Sequence, residues 1–278
     1  MTSDAIPATP AQRGGRRAGG VPRENRPGEP LVSVITVVYN GANHLAQTIE
    51  SVLSQRYENL EYVVIDGGSS DGTVDILRRF DNHIDYWLSE RDYGLYDAMN
   101  KGLALASGEL THLLNADDYY HDPNVVSDVV AKVLADGLAS IYAGDTLMMA
   151  DDRSWLEPCT AVRSLYYRIP FMHPSCFIPR ALYERHGRYD LKYRIAADAE
   201  LLMRFMKHGV AVKPLQRTCT VMRHGGLSSR RFGAARLEYA RLFQKYHGQP
   251  CLAVWGYLKS VILYRLSWLR RALSGGQP

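Results

Sequence analysis

A chain of 278 residues with 46% hydrophobic content can bury one large core or two small ones, which excludes a wholly disordered or fibrous protein. Its formal charge of +4, from 33 Lys and Arg against 29 Asp and Glu, is too small to argue for a nucleic-acid partner. The four cysteines, Cys159, Cys176, Cys219 and Cys251, are widely spaced with no CxxC pair, which excludes a disulfide scaffold and points to a reducing, cytosolic compartment.

Residues 1–30 collect Pro, Gly, Arg and Ala, including Arg13-Gly14-Gly15-Arg16-Arg17, and their composition predicts a disordered extension. No long apolar stretch follows a basic start there, which argues against a secretory signal. Order is predicted to begin at Leu31, where Val32, Val34, Ile35, Val37 and Val38 mark a buried strand. A loop at Asn40-Gly41-Ala42-Asn43 leads to a helix over 44–54 with Leu45, Ile49, Val52 and Leu53 on one face, and residues 60–65 form a second strand. The turn residues Asp66-Gly67-Gly68-Ser69-Ser70-Asp71-Gly72-Thr73 precede a helix with Val74, Ile76 and Leu77 inward. A short strand over 84–88, a helix over 96–106 and a strand over 110–114 complete the first half, to residue 122. Beyond Pro123 the pattern gives a helix over 124–135, strands near 140–143 and 176–178, an extended stretch around Trp155, and a helix over 196–207 with Asp198 and Glu200 in its first turn. This alternation predicts a doubly wound, mostly parallel α/β sheet that gathers its ligands at the carboxyl ends of the strands.

Three loops then share one sheet edge. Val37 and Tyr39 follow the first strand, Asp66 and the Gly67-Gly68 pair follow the second, and Asn115-Ala116-Asp117-Asp118 ends a later one. Tyr39 can lie against a base, Asp66 can accept from a base N–H or a ribose hydroxyl, and glycines let the backbone approach a ligand. The Asp117-Asp118 pair can hold a hard divalent cation against a diphosphate. Each residue also has a structural account: Tyr39 as core, Asp71 as the cap of the following helix, and Asp117-Asp118 as caps of the helix near Pro123.

These segments resemble the family-two glycosyltransferases, which have the glycosyltransferase A fold, Rossmann-like, and commonly invert at the anomeric carbon. The resemblance rests on Ser33 to Asn40, the Asp66 to Thr73 loop, Ser89-Glu90-Arg91-Asp92-Tyr93-Gly94-Leu95-Tyr96-Asp97-Ala98-Met99-Asn100-Lys101-Gly102, Asn115 to Asp118, and Ile195-Ala196-Ala197-Asp198, and it spans most of 31–228. The segment from Gly94 to Gly102 resembles the branch that builds bacterial surface polysaccharides and glycolipids. The resemblance implies a nucleotide-sugar donor, with a UDP-sugar favoured, in contact with Val37, Tyr39, Asp66, Gly68, Asn100, Lys101, Asp117 and Asp118. It implies Mn²⁺ or Mg²⁺ on Asp118 and Asp117, with Asp118 the direct ligand, and Asp198 as the base that deprotonates the acceptor hydroxyl. Many relatives carry two acids where this chain has Asp66-Gly67. His173, Trp155 and Glu200 are candidates for the acceptor side, Gly225-Gly226 for a loop closing over the donor, and Lys101 for the phosphates or a solvated helix position.

Residues 226–278 carry nine basic residues and one acid, Glu238, a local charge of +8 that leaves −4 on the remainder. Residues 229–278 read as a C-terminal helical extension, and 251–269 as an amphipathic helix lying on an anionic membrane surface or packed on the catalytic domain. The expectation is a hexosyltransferase acting on a lipid-linked or polysaccharide acceptor for the cell envelope, at the cytoplasmic face of the inner membrane. Two alternatives stand beside it: a non-catalytic nucleotide-sugar-binding scaffold, and a nicotinamide-dependent oxidoreductase, which the lack of a GxGxxG after the first strand disfavours.

Overall fold

A computed structural model describes residues 11–18, 26, 28–151, 153–160, 171–226, 230–248 and 262. In chain order its first elements are β1 (Gln12–Gly14), β2 (Val32–Val38), α1 (Leu45–Leu53), β3 (Leu60–Asp66), α2 (Thr73–Arg79), β4 (Tyr86–Ser89), α3 (Leu95–Leu105), β5 (Leu110–Asn115) and β6 (Tyr119–Tyr120). There follow α4 (Val125–Asp136), β7 (Ile141–Ala150), β8 (Arg153–Glu157), a 3₁₀ turn (His173–Ser175), β9 (Cys176–Pro179), α5 (Arg180–His186), α6 (Ala197–Lys207), β10 (Val212–Arg223) and α7 (Phe232–His247).

All seven residues of β2 are buried because helices cover the sheet on both faces. Alternation along the strand divides them: Val32, Val34 and Val38 pack with α1, α2 and α4, while Ile35 and Val37 pack with α3, α5 and α6. Gly102 lets α3 lie close on β2, since a Cβ there would meet Ile35 Cγ2 at 2.3 Å. The strand order is β1-β4-β3-β2-β5-β9-β7-β10-β6, with β8 added on β7. The expected parallel pairing holds for β4, β3, β2 and β5 and again for β7 with β10. β9 runs antiparallel to both β5 and β7 and joins the two halves. Because β6 pairs with β10, residues on either side of 122 share one sheet.

Several expectations are corrected. Leu53 is exposed at the end of α1, so that helix buries Leu45, Ile49 and Val52 without it. The twelve-residue β10 and the short α5 carry too little local periodicity to be read from sequence. The C-terminal stretch 251–269 lies, apart from Ile262, outside the described residues. Among those described, no helix is long and apolar enough to cross a membrane.

The N-terminal expectation changes most. Residues 11–18 are an ordered part of the fold, with β1 antiparallel on β4 and the Arg16 and Arg17 N–H groups donating to the Ile84 and Asp85 carbonyls (3.0 and 2.8 Å). Two of the arginines that suggested disorder, Arg16 and Arg17, instead meet buried acids. Arg16 reaches Asp85 at 2.7 Å, and Arg17 reaches Glu61 at 2.7 Å and the Leu105 carbonyl at 3.0 Å. Glu61 also accepts from the Ser107 N–H and hydroxyl (2.7 and 2.6 Å) and from Ser33. Arg17→Ala should therefore strand a buried carboxylate on neutral donors alone, costing about 2–3 kcal/mol in urea denaturation, below a full buried-pair break because three donors remain. In an Arg17→Ala, Glu61→Gln double variant most of that loss should disappear; an undiminished loss would mean that the ion pair is not what holds the segment.

Candidate active site

Parallel register builds the sheet edge. Val38 lies beside Asp66, Asp66 beside Ser89, and Val37 beside Asn115, so the loops after β4, β3, β2 and β5 leave one edge together. Bonds between loops fix them. The Asn40 N–H donates to Ser69 Oγ (2.7 Å), Ser70 N–H to Asn40 Oδ1 (3.0 Å), Ala42 N–H to Asp71 Oδ2 (3.0 Å) and Glu90 N–H to the Asp66 carbonyl (3.0 Å). Asp71 also takes the Thr73 N–H (3.1 Å), so it serves the start of α2, as its structural account predicts.

Tyr39 is 67% exposed at the mouth of this edge and is no core residue. Val37 is, by contrast: its side chain packs in the core and its carbonyl accepts the Ala116 N–H at 3.3 Å, so it shapes the edge from below without a surface of its own. Asp66 is buried and accepts from the Gly68 and Ser69 N–H groups (3.2 and 3.0 Å), the Ser69 hydroxyl and the Ser89 hydroxyl (2.6 Å). Gly68 is exposed in a left-handed conformation (φ +81°). At Gly67 a Cβ would sit 2.4 Å from Asp92 Oδ2, so Asp92 occupies the space that a second acid in the 66–67 pair would need. Burial, partly offset by the Gly94 N–H and Lys101, raises the Asp92 carboxyl above its usual value.

The carboxylate pair does not cap α4, because Asp122 takes the Asn124 N–H there at 2.8 Å. Asp118 is 1% exposed and accepts from Asn115 Nδ2 (3.0 Å) and the Arg223 N–H (3.3 Å), while Asp117 is half-buried beside it. Burial, and then the Asp117 charge, push the Asp118 carboxyl well above the ordinary range, against the pull of Asn115 and Arg223. Asn115 Oδ1 is buried with no hydrogen-bond partner, and Thr48 fixes the turn by bonding the Ala116 and Asp118 carbonyls (2.8 and 2.7 Å). No cluster of three or more His, Cys, Asp or Glu able to hold a metal occurs among the described residues. Two carboxylates beside a partnerless amide oxygen nonetheless fit a hard cation that takes its remaining ligands from phosphate and water. Trp155 packs on His224 (ring centroids 5.8 Å apart), next to Arg223, and so lies near this pair.

Asp198 sits in the first turn of α6 within a separate cluster. Its Oδ1 accepts from the Tyr96 hydroxyl at 3.0 Å, its Oδ2 lies 3.2 Å from His173 Nδ1, and Tyr96 also bonds the Ile195 carbonyl at 2.7 Å. Burial would raise this carboxyl, but His173, the Ala199 N–H and Tyr96 outweigh it and hold it below the usual range. The turn bearing His173 is joined to β5, since His112 Nε2 lies 2.7 Å from the Pro174 carbonyl. β5 therefore links this cluster to the carboxylate pair.

Three candidates are engaged elsewhere. Asn100 exchanges both its amide groups with the Tyr189 main chain (2.9 and 3.0 Å), joining α3 to the segment before α6. Lys101 binds Glu90 (2.8 Å) and the Arg91 carbonyl (3.1 Å), so its ammonium braces the 90–94 loop. Glu200 is buried and takes Arg204 (3.0 Å), Lys245 (3.1 Å) and Tyr246 (2.5 Å), anchoring α7 on α6.

Glu238 escaped sequence reasoning. It accepts the N–H groups of Arg194, Ile195 and Ala196 at 3.0, 2.9 and 2.9 Å, and so fixes the backbone that delivers Asp198. Its only signal was being the lone acid in a basic segment. Glu238→Ala should lower kcat about tenfold and stability by about 2 kcal/mol, the loss of charge-assisted bonds to backbone donors, while leaving donor KM within twofold. A loss confined to donor KM would contradict this role.

A mixed, mostly parallel sheet with helices on both faces matches the glycosyltransferase A fold of solved structures. The chain belongs to glycosyl transferase family 2, whose sequence model matches residues 33–185. It is 38% identical over 179 residues to an uncharacterized glycosyltransferase of Mycobacterium tuberculosis, covering 63% of this chain and 68% of that one. It is 32% identical over 178 residues to a PGL/p-HBAD biosynthesis glycosyltransferase of Mycobacterium bovis, covering 63% and 69%. Among solved structures, S. aureus TarS 1-349 in complex with UDP-GlcNAc aligns with TM-score 0.63 at 16% identity over 88% of this chain and 73% of that one. Of another TarS structure the chain spans 41% of the length. Mannosyltransferase PcManGT from Pyrobaculum calidifontis, in complex with GDP-Man and Mn²⁺, aligns with TM-score 0.60 at 20% identity over 92% and 79%. Family membership sets aside the oxidoreductase alternative.

Proposed function

We propose that this glycosyltransferase moves a sugar from a nucleotide diphosphate to a lipid-linked or glycan acceptor, with inversion, and that it serves surface polysaccharide or glycolipid synthesis. The observation that carries the reading is the separation of two kinds of carboxylate. Asp118, with Asp117 beside it, is buried at a strand end with its carboxyl raised, as suits a group awaiting a cation; Asp198 is held ionised in its own cluster, as suits the acceptor end. Asp118 and Asp117 would hold Mn²⁺ or Mg²⁺, which when bound neutralises charge developing on the diphosphate. Exposed Tyr39 would lie against the nucleoside, with Asp66 shaping the loop beneath it. The glycolipid acceptor is supported by the relative named for PGL/p-HBAD biosynthesis, and a basic C-terminal segment suits an anionic membrane surface at the cytoplasmic face. A UDP-sugar is favoured, although structural neighbours carry UDP-GlcNAc in one case and GDP-Man in another.

The test is release of nucleoside diphosphate from a panel of UDP- and GDP-sugars with Mn²⁺ or Mg²⁺. Slow hydrolysis of one donor, stopped by chelator, is expected. Hydrolysis indifferent to chelator would remove the metal, and no turnover of any donor with candidate lipid acceptors would remove the donor class.

A further inference from the structure

The loop after β4 lies on the loop after β3. A Cβ at Gly68 would stand 3.4 Å from the Arg91 nitrogen, and one at Gly67 would collide with Asp92 Oδ2. Asp92 thus brings a carboxylate from β4 into the space that an acid at position 67 would need. Gly67 also donates its N–H to the Val38 carbonyl at 2.9 Å, which sets the next residue of that chain, the exposed Tyr39, beside the same spot. An aromatic ring and a carboxylate are therefore neighbours at the β2–β3–β4 end of the sheet edge, away from the Asp117-Asp118 pair on β5.

The other acids of these loops are committed within the fold. Asp66 spends Oδ2 on the Gly68 and Ser69 N–H groups and the Ser89 hydroxyl, and Oδ1 on the Ser69 hydroxyl. Asp71 serves Thr73 with one oxygen and the Ala42 N–H with the other, and Glu90 and Asp97 pair with Lys101. Asp92 differs. Its Oδ1 takes the Gly94 N–H at 2.8 Å, while its Oδ2 has no hydrogen-bond partner among the described residues. The buried side-chain atoms that lack a partner there are Asn115 Oδ1 and His173 Nε2, so Asp92 Oδ2 is open to solvent. The loop holding it is braced from several sides: Lys101 on the Arg91 carbonyl (3.1 Å), Arg194 on the Tyr93 carbonyl (2.9 Å) and the Tyr93 N–H on Asp97 (3.0 Å). The free oxygen is in place before a ligand arrives, which lowers the cost of binding.

We infer that Asp92 Oδ2 selects the base of the donor, accepting the N3–H of a uracil that lies against Tyr39. The chemistry of the bases makes the choice. In a nucleotide, uracil carries a single N–H, at N3, whereas cytosine has a lone pair at N3 and adenine one at N1. Either lone pair would face a carboxylate that can only accept. Guanine offers an N–H and an amino group side by side, which calls for two acceptor oxygens, and Oδ1 is held by Gly94. One free oxygen matches one N–H. The inference rests on the nucleotide-diphosphate reading above and adds which atom of this chain discriminates between bases.

The charge balance at Asp92 agrees with this geometry. Burial raises its carboxyl, the Asp97 and Asp66 charges add to the effect, and the Gly94 N–H and Lys101 oppose it. A base N–H on Oδ2 stabilises the ionised form and so offsets part of the burial.

The experiment measures calorimetric binding of UDP, CDP and GDP with Mn²⁺ to the full chain, to Asp92→Asn and Asp92→Ala, and to an Asp92→Ala, Gly67→Asp double variant. Wild type should bind UDP about 10–100-fold tighter than CDP, the worth of one charge-assisted hydrogen bond. Asp92→Asn keeps an oxygen for the Gly94 N–H and turns its amino group to the base, so the preference for UDP over CDP should vanish or invert. Asp92→Ala should lose the preference too, and Gly67→Asp on that background should return most of it, because the truncation clears the space and Gly67 lies outside the left-handed region. An unchanged UDP-to-CDP ratio in Asp92→Asn, even with both bound more weakly, overturns the inference and leaves Asp92 as a brace of its own loop. A wild type that prefers CDP or GDP to UDP overturns it as well. If no nucleoside diphosphate binds wild type with Mn²⁺, the donor reading itself falls. Should the variants fail to fold, 3-methyluridine diphosphate probes the wild-type protein: a loss of about tenfold or more against UDP supports the N3–H contact, and equal affinity overturns it.

Discussion

An Asp118→Asn protein should fold normally yet lose on the order of 10²–10³-fold in metal-dependent turnover, the usual effect of removing one preorganised electrostatic group. The reason lies in how the carboxyl is kept. Asp118 is enclosed beside Asp117, and burial first, then that second charge, raise it well above the carboxylate range, although Asn115 and Arg223 donate to it. The folded, metal-free value is thus above the unfolded one. Asp118 consequently contributes stability only at low pH, and that contribution is lost as the pH rises through the raised value. Ionising Asp118 in the metal-free fold is therefore disfavoured, and a divalent cation would relieve that cost. Two measurements follow. Metal-free Asp118→Asn should be no less stable than wild type at pH 7 in a thermal melt, and Mn²⁺ should raise the melting temperature of wild type only. Calorimetric Mn²⁺ affinity of wild type should also weaken on acidification at a pH above that of an ordinary carboxylate site, because proton and metal compete for the same oxygens. Equal Mn²⁺ stabilisation of both proteins would move the metal away from β5.

The features that predict Asp118 were visible in sequence, and those that correct its neighbours were not, for one physical reason. Runs of β-branched residues ending in turn residues specify strands and their carboxyl ends locally, so β2, β3 and β5 and the three loops they aim at one edge could be read directly. What a polar side chain does on that edge depends on partners far along the chain. Asn100 is taken by Tyr189, 89 residues away, and Arg17 by Glu61, 44 residues away. Helical spacing placed Asp198 and Glu200 in one first turn but could not say that Glu200 meets Lys245 and Tyr246 of α7. The same blindness hid Glu238, whose three backbone partners precede a helix that its own sequence nowhere mentions. Composition misled at residues 11–18 because Gly and Arg suit both a solvated tail and a tight edge strand that neutralises buried acids.

Asp198→Asn should abolish transfer, by about 10²–10⁴-fold, the range for loss of acid–base function, while donor binding stays intact. The two effects separate because the Asp198 cluster and the Asp66 and Asp118 loops are held by different contacts. Tyr96 retains its bond to the Ile195 carbonyl without the carboxylate, and Glu238 still holds the three N–H groups before α6, so the helix start should persist. Some stability should still be lost. The folded Asp198 carboxyl lies below its unfolded value, so its contribution is present above the unfolded carboxylate value and disappears as the pH falls through the folded one. The variant should therefore melt lower than wild type at pH 7, and the gap should close in strong acid. Tyr96→Phe supplies the graded control: one of the bonds positioning Asp198 goes, its charge and the His173 and Ala199 N–H contacts remain, and kcat should drop only about tenfold, one hydrogen bond's worth. A Tyr96→Phe enzyme as inactive as Asp198→Asn would mean that the cluster works by holding α6 in place, and that the carboxylate itself has no part in activating the acceptor.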